Sequence, residues 1–87
     1  MKIVDKKEFV GHILMDAEHA RNLYHIHVKF SAGVIEAVSI VRNGENVLIF
    51  DRDNFGWQIK AADKQTETVY RETLKHLSLK PTKETAR

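Results

Sequence analysis

The chain has 87 residues, 43% hydrophobic and 30% charged, a globular composition with room for one core and not for a second. Cysteine is absent, which excludes disulfides, thiolate catalysis and zinc–thiolate sites, and no run approaches the roughly 18 apolar residues of a membrane span. The net charge of +2 is spread evenly, with six Lys/Arg against five Asp/Glu in residues 1–43 and eight against seven in residues 44–87, so the charges read as a solvated surface in a cytoplasmic protein rather than a basic block or a targeting segment.

At the N-terminus, Asp5 can cap a helix, Glu8 follows as its capping-box partner, and Val4 with Phe9 can form a hydrophobic staple. Phe9, Val10, Ile13, Leu14, Ala17 and Ala20 then recur at helical spacing, predicting a helix over residues 6–21 with Asn22 as its left-handed stop. Gly11 would cost that helix about 1 kcal/mol relative to alanine. Met15 falls on the polar side of this helix and suggests a contact surface there.

Tyr24, Ile26, Val28 and Phe30 alternate with His25, His27 and Lys29, the pattern of a half-buried strand. Ser31-Ala32-Gly33 turns into a second strand over 34–42. Asn43-Gly44 is a two-residue hairpin signal, because a type I′ turn needs positive φ at both central positions, and the third strand returns over 45–51. A perfect register would set Arg42 opposite Glu45, Ile40 opposite Val47 and Val38 opposite Ile49, leaving Val41, Leu48 and Phe50 together on the other face. Phe55 to Ile59 can add a short fourth strand. Asp63 is positioned to cap a closing helix whose apolar stripe is Val69, Tyr70, Thr73, Leu74 and Leu77, and Pro81 forbids its continuation. The expected organisation is an α+β domain over residues 1–78, helix, three- or four-stranded antiparallel sheet, helix, followed by a polar, mildly basic tail over 79–87.

That element order resembles the order in double-stranded RNA-binding domains. The resemblance stops at order, since Ala62-Asp63-Lys64-Gln65-Thr66-Glu67 carries acids where those domains open their second helix with lysines.

Chemistry-bearing motifs are sparse. His25-x-His27 would project two imidazoles from one strand face, but no third ligand is identifiable, so neither a metal site nor a cofactor is expected. His12 and His19 are too far apart on a helix, about 10 Å along its axis, to share an ion. Asp51-x-Asp53-Asn54-x-Gly56 lacks an oxygen ligand at Phe55 and the terminal glutamate at Ala62, which excludes a calcium loop. The glycines are isolated and no serine has a nucleophile-elbow context, so no catalytic residue is assigned and an enzyme is not expected.

The leading expectation is an interaction module working through a protein–protein surface, as a homodimer or as a regulator or inhibitor of a larger assembly, with Val41, Leu48, Phe50 and Met15 as interface residues. The alternative is nucleic-acid binding through Lys29, Arg52, Lys60 and Lys64 and the tail residues Lys80, Lys83 and Arg87, with Phe55 and Trp57 stacking on bases.

Overall fold

The computed structural model describes residues 1–52, 59–78 and, by backbone alone, 80–81. Its strands are β1 (Lys2–Phe9), β2 (His12–His19), β3 (Asn22–Ser31), β4 (Val34–Arg42), β5 (Glu45–Asp51), β6 (Lys60–Ala61) and β7 (Lys80–Pro81), with helix α1 at Lys64–Leu77. Strands β1 to β6 form one antiparallel sheet in sequence order, and β7 adds in parallel to the start of β4. The protein is therefore mostly β, with one C-terminal helix among the described residues. The helix–sheet–helix arrangement expected from the sequence is corrected, and the shared element order with double-stranded RNA-binding domains goes with it.

The correction lies in residues 6–21. Where a helix is predicted, the chain makes the β1–β2 hairpin, turning at Val10-Gly11 with Gly11 at φ +83°. Ile13, Met15 and Ala17 alternate inward along β2, whereas Leu14 (43% exposed) and Val10 (102%), members of the helical stripe, face solvent. Helix propensity and caps are local terms of a few tenths to about 1 kcal/mol each. Pairing with β3 instead buries three side chains of β2 and fills a ladder of backbone hydrogen bonds, and that tertiary gain prevails.

Three hairpins among the described residues turn through two residues in the left-handed region: Ala20-Arg21 (φ 50° and 66°), Ala32-Gly33 (54° and 76°) and Asn43-Gly44 (55° and 79°). This is the type I′ signature, whose twist suits the flanking strands. The Asn43-Gly44 turn forms where expected and sets Arg42 opposite Glu45, but the pairing then slips by one residue. Val41 pairs with Asn46 and Ile40 with Leu48, so Val47 is an extra residue, a β-bulge. Beyond the bulge Leu48 and Phe50 share a face with Ile40 and Val38, and Ile49 moves to the face of Ser39 and Val41. The perfect-register faces are thereby reassigned, because side chains alternate with period two and one extra residue exchanges them.

Only one face of the sheet is covered by α1. Ile13, Met15, Tyr24, Ile26, Val28, Ile35, Ile40, Leu48 and Phe50 join Val69 and Tyr70 in a single core, with Leu74 and Leu77 packed at its margin. The helix begins as expected at Asp63, whose Oδ1 accepts from the Thr66 backbone N–H at 2.8 Å and from the Thr66 hydroxyl at 2.7 Å. Arg42 ties this cap to the sheet, donating from Nη2 to Asp63 Oδ2 at 2.9 Å and from Nη1 to the Tyr24 hydroxyl at 3.0 Å. Hydrogen bonding to Arg42 and Thr66 lowers the Asp63 carboxyl to about 2. Ser78, in the left-handed conformation, ends the helix by donating its backbone N–H to Leu74 and Lys75. No helix among the described residues is long and apolar enough to cross a membrane.

Candidate binding face

The sheet's second face is not covered by α1. Cross-strand registers arrange it in three rows. The first holds Asp5, Asp16, His25, Val41 and Asn46. The second holds Lys7, Leu14, His27, Ser39, Ile49 and Lys60. The third holds Phe9, His12, Lys29, Ala37 and Asp51. The centre is hollow: a depression of about 310 Å³ is bordered by Lys7, Leu14, Asp16, His25, His27 and Ser39. A second, of about 220 Å³, shares His27 and Ser39 and continues towards Asn46 and Ile49.

Two histidine contacts organise the middle of this face. His25 Nδ1 lies 2.8 Å from Asp16 Oδ1, and because a carboxylate only accepts, the ring proton sits on Nδ1. His12 Nδ1 lies 3.3 Å from His27 Nε2, with the rings tilted at 52° and the Phe9 ring against His12 on the far side. Partial desolvation first, then the neighbouring His12 and Lys29, lower the His27 pKa. Beside them the Ser39 hydroxyl donates to Asn46 Oδ1 at 3.2 Å. Among the described residues no three His, Asp or Glu side chains converge to hold a metal ion.

His25 and His27 do share a face, as their spacing implies, yet each bonds to β2 rather than to the other. The four interface candidates are not brought together. Met15, Leu48 and Phe50 lie in the core, and Val41 lies half-buried on the open face. Of the cationic candidates, Lys29 and Lys60 occupy open-face rows, Arg52 lies 3.5 Å from Glu36, and Lys64 opens α1. Phe55, Trp57, Lys83 and Arg87 lie outside the described residues, as do the Lys80 side chain and most of the tail. Sequence reasoning missed His12, Asp16 and Ile49 as members of this face. The alternation of Ile13, Met15 and Ala17 after Val10-Gly11 was the available signal for the first two.

Compared with known proteins, the chain matches no family model, no curated protein and no solved structure.

Proposed function

We propose that this chain is a binding module that takes a protein partner on the open face of its sheet. The observation that supports this reading most is the composition of that face. Leu14, Val41 and Ile49 lie among three carboxylates (Asp5, Asp16, Asp51) and three lysines (Lys7, Lys29, Lys60), around a shallow hollow. Apolar groups on an uncovered sheet favour a contact that removes them from water. Interspersed charges of both signs complement a polypeptide surface of mixed charge, whereas a nucleic-acid backbone calls for pooled cations. The absence of cysteine fits a cytoplasmic setting.

The test is retention of a partner from the native host by wild type and by a Leu14→Glu/Ile49→Glu variant of verified fold, with and without nuclease. Wild type retains a partner through nuclease treatment and with little change between about 50 and 200 mM salt, and the variant loses it. Retention by the variant, or a loss with nuclease and with salt that points to nucleic acid, overturns the reading.

A further inference from the structure

The two histidine contacts on the open face differ in kind. His25 is oriented by a carboxylate, whereas His12 and His27, brought from β2 and β3, turn ring nitrogens towards one another at 3.3 Å. Between neutral imidazoles only one of the two facing nitrogens carries the proton. At 3.3 Å this is a long hydrogen bond. The spacing equals a metal bite: two nitrogens each about 2.05 Å from a tetrahedral ion stand about 3.3 Å apart. Both rings are exposed, so an ion can reach them without opening the core.

We propose that His12 Nδ1 and His27 Nε2 chelate a divalent transition metal of the copper–zinc class on the open face, with water completing the coordination shell. This inference is independent of the protein-binding reading above. The ring that donates in the free pair moves its proton to its other nitrogen, so both lone pairs meet the ion and no net proton leaves. Lys29 stands directly opposite His12 in the register and repels the incoming charge, so this two-ligand site is weaker than a closed one. Imidazole donors select Cu²⁺ over Zn²⁺ by the general affinity order and leave Mg²⁺, which prefers oxygen, unbound.

The experiment is calorimetric titration of the tag-free full chain with Cu²⁺, Zn²⁺ and Mg²⁺, circular dichroism confirming the fold of each variant. One equivalent of Cu²⁺ binds more tightly than Zn²⁺, and Mg²⁺ does not bind. His12→Gln and His27→Gln each weaken binding by at least about tenfold, the lower end of what loss of even an outer-shell partner costs. His25→Gln leaves it unchanged, and Lys29→Met strengthens it. Unchanged affinity in His12→Gln or His27→Gln overturns the assignment, and so does an equal loss in His25→Gln, which would move the site to the i, i+2 pair on β3.

Discussion

The two faces of this sheet are built from the same strands, yet they obey different rules. On the helix-covered face every central position is apolar and sealed: Tyr24, Val28, Ile35 and Ile40 are fully buried. On the open face the intervening positions carry His25, His27, Lys29 and Ser39, and shape there is set by pairwise hydrogen bonds. The first face is specified by area removed from water, at roughly 25 cal/mol per Å². The second is specified by which residue stands opposite which, and so depends on turns and bulges. Residues adjacent in sequence therefore differ sharply in what they tolerate, and any residue that shifts the phase moves chemistry from one face to the other.

The largest expected contrast is between Tyr24 and His25. Tyr24→Ala removes a buried ring that also accepts from Arg42, and should cost about 3–5 kcal/mol, whereas His25→Ala should stay within about 0.5 kcal/mol of wild type in chemical denaturation. Comparable losses would erase the distinction between the faces. Next comes the turn that sets the β4–β5 phase. A Cβ at Gly44 would meet open space, so Gly44→Val is penalised through backbone conformation alone, by more than about 1 kcal/mol. An unchanged melting temperature would show that this turn does not hold the register.

A smaller gain should come from Ala20-Arg21, which adopts the same left-handed pair without asparagine or glycine. Ala20→Asn combined with Arg21→Gly should raise the unfolding free energy by up to about 1 kcal/mol in chemical denaturation, the strain removed being partly offset by glycine's entropy in the unfolded chain. The smallest effect is confined to the open face. Because the folded state lowers the His27 pKa from 6.5, the unfolded chain binds more protons as pH falls below that value. Stability should therefore rise with pH through this window and decline on acidification, and His27→Gln should flatten that slope in melts between about pH 5 and 7.

The legible parts of the fold were those written in local chemistry. The Asp63 cap, the Val69–Leu77 stripe, the alternation of β3 and the Asn43-Gly44 turn all stand where their residues imply. The N-terminal hairpin was obscured because residues 5–20 satisfy helix caps and helical spacing as well as strand alternation, and only pairing with β3 decides between them. The Ala20-Arg21 turn carries no glycine or asparagine at its central positions and so no local signal. The Val47 bulge is a property of a strand pair, invisible in either strand alone, and it is the reason Leu48 and Phe50 are core. The histidine pairing follows from the first of these: with residues 6–21 read as a helix, His12 could not be placed beside His27.

The most direct test of the two-face account uses the neighbours Ile49 and Phe50, one bond apart in the chain and assigned to opposite faces by the bulge. Thermal unfolding of Ile49→Glu and Phe50→Glu should differ widely. Ile49→Glu should unfold cooperatively with a midpoint near that of wild type, while Phe50→Glu, which places a charge at a position 2% exposed, should lose its cooperative transition. Loss of the fold in Ile49→Glu with retention in Phe50→Glu would contradict the account, restoring the unbulged register and exchanging the two faces.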